Sequence, residues 1–229
     1  MKSFAIDLLR GLTRRWRRQR RRQKVGRAYD MALEIASELR PGVRILDVGC
    51  GNGFIAHHLA SLLHSKVVGL DVGNTTNARI DYVRYDGENF PMADGSFDVI
   101  LLCYVLHHAV DARLVLKEVN RVLTSGGVVV IYEDIPRAGW DRLVCWSHSR
   151  RWQPRTGRCS FRLEAEWYQM FTADYEVVSE RPLSRWRNFA HPVSRQRFVL
   201  RSKNAKAVEM PQVVGKVPAD SPDEICIAA

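Results

Sequence analysis

The sequence of 229 residues predicts an α/β protein whose mostly parallel sheet has helices on both faces. Two observations predict it. Between residues 43 and 132, short continuous apolar runs alternate with segments whose apolar residues recur at helical spacing, as in buried parallel strands joined by helices. The first apolar run is followed directly by a glycine-rich turn, GCGNG, of the kind that leads a strand into a ligand-binding helix N-terminus.

The N-terminal segment predicts two helices separated by a run of arginines. Apolar side chains recur at every fourth position over residues 3–16, which indicates a single apolar helical stripe; its members are Phe4, Leu8, Leu12 and Trp16. A second helical pattern covers residues 28–39 and ends before the Pro-Gly pair at 41–42.

The rest of the chain divides into further strands and helices. The expected strands cover residues 43–48, 66–70, 82–85, 97–104, 127–132, 175–179 and 197–200. The expected helices cover residues 54–63, 112–123, 140–151 and 163–171. Residues 203–229 contain no aromatic residue and repeat small residues and proline, so we expect a disordered tail there. The predicted organisation is a basic arm (1–27), one domain (28–202, with halves 42–136 and 137–202) and this tail.

Positive charge is concentrated in the N-terminal arm. Residues 1–27 contain eleven basic side chains and one acidic one, which equals the formal net charge of +10 of the whole chain. An arginine-rich helix with an apolar stripe favours an anionic membrane surface. A solvated charge run and an organellar targeting peptide are the alternatives.

The cysteines and the apolar runs argue against a disulfide-rich protein, a zinc-finger protein and a membrane-spanning protein. The five cysteines have irregular spacing and form no CxxC pair, so neither a disulfide framework nor a zinc site is indicated. The longest apolar run, residues 99–106, is far shorter than a membrane-spanning helix needs. We therefore expect a cytoplasmic protein, with peripheral membrane attachment as an option.

The glycine-rich turn differs from a dinucleotide fingerprint. Gly49, Gly51 and Gly53 form G-x-G-x-G instead of G-x-G-x-x-G, and Asp47 precedes them by two residues. A carboxylate there would repel a pyrophosphate, so the turn suits a ligand that brings positive charge or donors. Asp71 and Asp86 end the next two strands, so the three acids should lie along the carboxyl edge of the sheet, where open α/β folds bind ligands.

Five ordered motifs resemble the class I S-adenosylmethionine-dependent methyltransferases, specifically the methyltransferase type 11 group. They are LDVGCGNG, VVGLDV, DGENFPMADGSFDVI, VLHH and LKEVNRVLTSGGVVVI, within residues 42–134. The resemblance implies a Rossmann-like methyltransferase fold with a seven-stranded sheet, and S-adenosyl-L-methionine as cofactor. It implies that the glycines shape the methionine end, with Asp47 orienting it, and that Asp71 binds the ribose and Asp86 the adenine. The complete expected cofactor-binding set is Asp47, Gly49, Cys50, Gly51, Gly53, Asp71, Val72, Asp86, Gly87, Cys103 and Tyr104.

One connection departs from the family pattern. Only residues 72–81 separate the second strand from the third, where the family normally has a helix. A parallel crossover usually takes a dozen or more residues, so we expect a loop or a single turn. A later segment, SFRLEAEW, resembles a shortened subgroup of the family.

Three residues are candidates for catalysis on the acceptor side: His107, His108 and Asp134. A histidine titrates near neutrality and can accept a proton, although the two histidines could equally bond to backbone. We expect no metal site there, because no other ligand cluster accompanies the histidines in the sequence.

The sequence does not identify the methyl acceptor, and three alternatives stand. A small-molecule or lipid-like acceptor, with an anionic group favoured by the basic segments, is the preferred reading. A nucleic-acid methyltransferase would use the basic arm electrostatically, but LCYVLHH stands where the N/D-P-P-Y/F tetrad would be expected. A non-catalytic S-adenosylmethionine-binding module is the third option.

Overall fold

A computed structural model describes residues 2–73, 76–157, 159–183 and 193–203. Seven strands form one sheet in the order β3-β2-β1-β4-β5-β7-β6. The first five strands are parallel, and β7 is antiparallel to both β5 and β6. The expected mostly parallel, seven-stranded α/β architecture is therefore confirmed.

The bounds of the elements agree with the expected ones within about two residues from β1 to α3, whereas β5, β6, β7 and α4 are longer than expected. The strands are β1 Ile45–Val48, β2 Val67–Asp71, β3 Asp81–Arg84, β4 Phe97–Cys103, β5 Leu123–Ile135, β6 Tyr175–Leu183 and β7 Ser194–Ser202. The helices are α1 Lys2–Ala36, α2 Phe54–Leu63, α3 Ala112–Val122, α4 Gly139–Thr156 and α5 Glu164–Phe171, with a short 3-10 turn at Leu106–His108. None of the helices in the described part of the chain is both long and apolar enough to cross a bilayer.

The N-terminal segment is one helix and not two. Helix α1 runs without interruption through the arginine run, so the expected break between residues 16 and 28 was wrong. Arginine and lysine are good helix formers, and their charges face solvent from Arg18 onward. The expected boundary between arm and domain, at residue 27, falls inside this helix. The expected tail from residue 204 onward lies outside the described residues.

Two apolar clusters cover the two faces of the sheet. On one face α1 and α2 pack through Ala32, Ile35 and Leu59. On the other face α3 and α5 pack through residues such as Val119 and Trp167. Helix α3 begins at Asp111, whose carboxylate accepts the backbone N–H of Arg113 at 2.8 Å, an N-cap that satisfies one free helix donor. Both faces of the parallel sheet are thus buried, as its apolar strands require.

The connection between β2 and β3 contains no helix in its described residues, 72–73 and 76–80, which confirms the expected loop. It folds onto the glycine-rich turn. The backbone N–H groups of Asn77 and Ala78 donate to the carbonyl of Asn52 at 3.1 and 3.2 Å. The Asn77 side-chain amide also donates to Asn52 Oδ1 at 2.8 Å. The short connection therefore fixes the outer side of the turn between β1 and α2.

Candidate functional site

The glycine-rich turn has a backbone that only glycine adopts easily. Gly49, Gly51 and Gly53 have φ values of 67°, 53° and 72°, in the left-handed region that other residues enter at a cost. A Cβ on Gly49 would lie 2.4 Å from Val105 Cγ2, and one on Gly53 would lie 2.8 Å from Ile80 Cδ1. Backbone conformation therefore favours glycine at all three positions, and close packing excludes a side chain at Gly49 and Gly53 as well.

Asp71 lies at the end of β2, beside this turn. Its Oδ2 accepts the backbone N–H of Gly51 at 2.8 Å, and its Oδ1 accepts that of Gly73, also at 2.8 Å. Each carboxylate oxygen can accept two hydrogen bonds, so each retains a lone pair for a ligand hydroxyl. The side chain is only partly buried. Asp71 is thus held in place and can receive a pair of hydroxyl groups.

Asp47 lies beneath the turn at the end of β1 and is almost completely buried. Its Oδ2 has no hydrogen-bond partner among the residues that the structure describes. Burial, and next the charge of Asp71, raise the pKa of Asp47 to about 7. An incompletely satisfied buried carboxylate is costly, so this position favours a cation or a hydrogen-bond donor nearby.

The third expected acid has a different environment. Asp86 is exposed, and its Oδ1 accepts the backbone N–H groups of Glu88 and Asn89, both at 2.8 Å. These bonds lower its pKa. Next to it, a Cβ on Gly87 would contact Val72 Cγ1 at 3.4 Å, and the Val72 side chain is 44% exposed. An exposed apolar side chain beside a carboxylate offers a surface for a flat polar ring.

Tyr104 directly follows β4 and has an unusual backbone. Its φ is +62°, a left-handed conformation that is uncommon for a bulky side chain. Its backbone N–H donates to the carbonyl of Tyr132 at 2.8 Å, which helps to hold this conformation. Strain of this kind is often stored at functional sites. Cys103, the last residue of β4, is partly buried, and burial raises the pKa of its thiol.

A cleft of about 910 Å³ lies between α1, the glycine-rich turn and the ends of β4 to β7. We call it the α1 cleft. Its lining includes aromatic and apolar side chains together with four basic and two acidic ones. The lining residues are Lys24, Arg27, Ala28, Asp30, Met31, Leu33, Glu34, Cys50, Asn52, Phe54, Ile55, Tyr104, Tyr132, Arg181, Leu183 and Arg195. The cleft is therefore continuous with the turn and has a mildly positive wall.

Two ion pairs hold the walls of the α1 cleft. Asp134 Oδ1 accepts Arg195 Nε at 2.9 Å, and the Arg195 guanidinium lies 4.3 Å from the centre of the Tyr104 ring. On the other side, Glu34 Oε1 accepts the hydroxyl of Tyr132 at 3.1 Å and Arg181 Nη2 at 2.6 Å. Helix α1 is thereby attached to β5 and β6 by a carboxylate, which makes it a fixed wall of the cleft.

The two candidate histidines lie in a separate cluster. His107 is buried, and its Nδ1–H donates to Glu133 Oε2 at 2.6 Å. Burial lowers the pKa of His107, but the charge and hydrogen bond of Glu133 outweigh it, and the net shift is upward. Burial, and then the neighbours His107 and His148, lower the pKa of His108 to about 3.

The structure corrects one premise about these histidines. His148, on α4, lies with its Nε2 3.2 Å from Nε2 of His108. The expectation that no further ligand accompanies His107 and His108 was therefore wrong, because α4 folds back over the 3-10 turn. Sequence reasoning also missed Glu133 and Arg195, which no local motif marks as partners of His107 and Asp134.

The glycine-rich half of the chain is similar to known proteins. Residues 46–131 match the family described as "Methyltransferase domain". The ubiquinone/menaquinone biosynthesis C-methyltransferase UbiE of Xanthomonas campestris is 30% identical over 161 residues, which cover 63% of each chain. The ubiquinone biosynthesis O-methyltransferase of Azorhizobium caulinodans is 33% identical over 109 residues, which cover 42% of this chain and 43% of that one. The chain thus spans 63% of the length of the Xanthomonas relative and a smaller share of the Azorhizobium one.

Solved structures share the fold. An S-adenosylmethionine-dependent methyltransferase of Methanosarcina mazei has a TM-score of 0.57 and 21% identity, and the match covers 73% of this chain and 96% of that one. The cyclase SpnF has a TM-score of 0.60 and 19% identity, with 77% and 80% covered. Since one of these neighbours is a cyclase, the shared fold alone does not assign the reaction.

Proposed function

We propose that the chain transfers the methyl group of S-adenosyl-L-methionine to a small-molecule acceptor in the α1 cleft, because residues 46–131 match the methyltransferase domain family. The observation that carries the proposal is the continuity of the glycine-rich turn with that cleft through Cys50 and Asn52. A cofactor held by the turn would therefore border the space in which an acceptor can bind.

The residues of the turn fit this cofactor. Asp71 retains acceptor capacity on both oxygens, as the two hydroxyl groups of a ribose require. Asp47 contributes a buried oxygen without a donor among the described residues, which favours the positively charged methionine end over a pyrophosphate. Gly49, Gly51 and Gly53 bring backbone close to the ligand, where any side chain would intrude.

The adenine would bind at the ends of β2 and β3. Exposed Val72 and Gly87 present an apolar surface for the flat ring. The Oδ2 of Asp86 receives only the Asn89 side-chain amide, at 3.3 Å, among its hydrogen bonds in the described residues, so it retains capacity for an adenine amino group. This assignment needs no helix between β2 and β3, which agrees with the short connection.

The protein's part in the reaction is orientation and exclusion of water. When bound, S-adenosylmethionine supplies a methyl group that is attached to a positively charged sulfonium sulfur. Once the acceptor takes the methyl group, the rest of the cofactor leaves as a neutral thioether. Cys103, the last residue of the central strand β4, and Tyr104, which follows it, would form the floor at which the two reactants meet. Helix α1, fixed by Glu34, would hold the acceptor against this floor, and correct placement alone accounts for a large part of such a rate enhancement.

The lining of the cleft indicates the class of acceptor. The cleft has an apolar surface, formed by Phe54, Ile55 and Leu183, that an apolar or aromatic acceptor could contact. Positive charge is added by Lys24 and Arg27. Relatives with matching sequence are named for ubiquinone, menaquinone and sterol methylation. We therefore infer a lipid-like or aromatic acceptor with an anionic group, presented from a membrane surface that the arginines of α1 contact.

An acceptor that loses a proton requires a base. Of the three predicted acceptor-side residues, Asp134 is connected to the α1 cleft, because its partner Arg195 lines it. Asp134, His107 and His108 are themselves all absent from the lining in the described part of the chain, and Asp134 is the one of the three whose side chain bonds to a lining residue there, Arg195. Asp134 is therefore the better candidate for the base, and the two histidines form a site of their own.

Transfer of a labelled methyl group tests the function. Purified protein is incubated with methyl-labelled S-adenosylmethionine and with cell extract separated into lipid, soluble small-molecule, protein and nucleic-acid fractions. We expect label in the lipid or small-molecule fraction, and none with the Asp71→Ala variant. Label in nucleic acid alone would support the rival class of acceptor, and cofactor binding without transfer to any fraction would support a non-catalytic module.

A further inference from the structure

Three histidines from distant parts of the sequence come together beside the 3-10 turn that follows β4. His107 and His108 belong to the 3-10 turn after β4, and His148 lies in the middle of α4. One ring nitrogen from each can be chosen so that all three lie within 4.8 Å of one another. His107 is fully buried and the other two are partly buried. None of the three histidines is among the described residues that line the α1 cleft.

The spacing of two of these nitrogens matches metal coordination. Nε2 of His108 and Nε2 of His148 are 3.2 Å apart. A tetrahedral zinc ion about 2.0–2.1 Å from each of two imidazole nitrogens holds them about 3.3–3.4 Å apart. The widest pair in the cluster would close by roughly 1.5 Å on binding, which side-chain rotation can provide.

The outer nitrogens of two rings already have partners, and that of His107 has the carboxylate partner that metal-binding histidines commonly use. His107 Nδ1 lies 2.6 Å from Glu133 Oε2, and the other oxygen of Glu133 accepts the backbone N–H of Leu106 at 2.8 Å. His108 Nδ1 lies 3.3 Å from Cys159 Sγ. A carboxylate on Nδ1 fixes the ring orientation and leaves the Nε2 lone pair for an ion.

The Nε2 atom of His107 is the buried nitrogen of the cluster that lacks a hydrogen-bond partner within the described part of the chain. Nε2 of His107 is buried and has no hydrogen-bond partner among the described residues. A buried acceptor without a donor costs free energy, and the Glu133 pair prevents the ring from turning to find one. An ion at the centre of the cluster would satisfy this nitrogen directly.

Aromatic rings enclose the histidines. Phe161 stacks on His107 at 4.6 Å between ring centres, and Trp152 lies 5.3 Å from His108 and 6.0 Å from His148. An apolar shell around a metal site limits the access of solvent to the ion and lowers the local dielectric constant. Imidazole ligands select zinc and similar transition metals over magnesium or calcium.

We propose that His107, His108 and His148 bind one divalent transition-metal ion, with zinc the best match, and that Glu133 is the positioning residue for His107. Three protein ligands leave a fourth position for water. The ion would fasten α4 to the turn after β4, next to Tyr104, so it would stabilise the part of the chain that borders the acceptor side. The proposal does not depend on the assigned methyl transfer.

Metal titration of the full chain tests this site. Protein treated with chelator and then dialysed is titrated with zinc chloride by calorimetry, and with cobalt(II) by visible spectroscopy. We expect one zinc ion per chain, a cobalt spectrum typical of tetrahedral coordination, and a rise in melting temperature on zinc addition. The His148→Ala variant should lose the cobalt spectrum, and the Glu133→Gln variant should bind zinc about 10–100-fold more weakly.

A matched control is His57→Ala, which removes an exposed histidine on α2 and should leave zinc binding unchanged. Folding of each variant is checked by far-ultraviolet circular dichroism. Wild-type protein that binds no zinc would overturn the proposal. So would His148→Ala protein, folded as the wild type, that binds zinc with unchanged affinity and keeps the cobalt spectrum.

Discussion

Oδ2 of Asp71 accepts the backbone N–H of Gly51 at 2.8 Å, which joins the end of β2 to the glycine-rich turn. This bond couples the two parts of the proposed nucleoside site. The same carboxylate that shapes the turn is the one expected to bind the ribose, so a change at Asp71 affects both.

The first prediction concerns Asp71→Ala. Hydrogen bonds to a charged group are worth about 1.5–3 kcal/mol, so we expect the dissociation constant for S-adenosylmethionine to rise by about 10–150-fold, measured by calorimetry. The Asp81→Ala variant, which removes an exposed acid at the start of β3, should bind as the wild type does. Equal affinity in the two variants would contradict the ribose assignment.

The second prediction separates backbone strain from crowding in the turn. Gly49→Ala and Gly51→Ala both place a Cβ in the left-handed region, but only the first meets a neighbour, Val105 Cγ2 at 2.4 Å. We expect urea unfolding to show a free energy of unfolding about 1–3 kcal/mol lower for Gly49→Ala than for Gly51→Ala. Adding Val105→Ala to Gly49→Ala should recover part of that difference, and no recovery would show that crowding is not the cause.

The third prediction is a pH dependence that arises from Asp47. Its native pKa of about 7 exceeds the ordinary value, so over this range the native state holds a proton that the unfolded state releases. Stability contributed by this group is therefore present at low pH and is lost as pH rises from about 4 to about 7, by an amount of the order of 4 kcal/mol.

The Asp47→Asn variant isolates this contribution. Its free energy of unfolding, measured in urea at several pH values, should fall less than that of the wild type between pH 4 and 7. Parallel curves for the two proteins would mean that Asp47 is ionised in the native state throughout.

The fourth prediction concerns Asp134 as the base on the acceptor side. The Asp134→Asn variant should transfer labelled methyl to the acceptor fraction about 100–10,000-fold more slowly, while its affinity for S-adenosylmethionine stays unchanged. Glu180→Gln, on the exposed part of β6, serves as the control. An unaltered transfer rate with Asp134→Asn would remove Asp134 from the reaction.

Local pattern was sufficient for most of the framework. Helix α2 occupies the predicted residues, Phe54–Leu63, because a glycine turn starts it and its apolar residues recur at helical spacing. The acids at positions 47, 71 and 86 were predicted at strand ends and lie there, since the topology of a parallel sheet brings the carboxyl ends of its strands to one edge. The arginine run was predicted to separate two helices because it has no apolar periodicity, but arginine is a good helix former and one helix runs through it.

Contacts between distant segments were beyond the sequence pattern. His148 is forty residues from His108, and only the path of α4 shows that the two meet. Arg195, which reaches Asp134, comes from a strand near the C-terminus. Neither partner has a local motif, so tertiary structure alone reveals the walls of the α1 cleft and the histidine cluster.

The most direct test of the central claim is a crystal structure of the full chain with S-adenosylhomocysteine. The account predicts ribose hydroxyl groups at Asp71, the methionine portion along Gly49–Gly53, and a sulfur atom that faces the α1 cleft next to Tyr104. A nucleoside bound away from Asp71, or a sulfur atom turned away from that cleft, would contradict it.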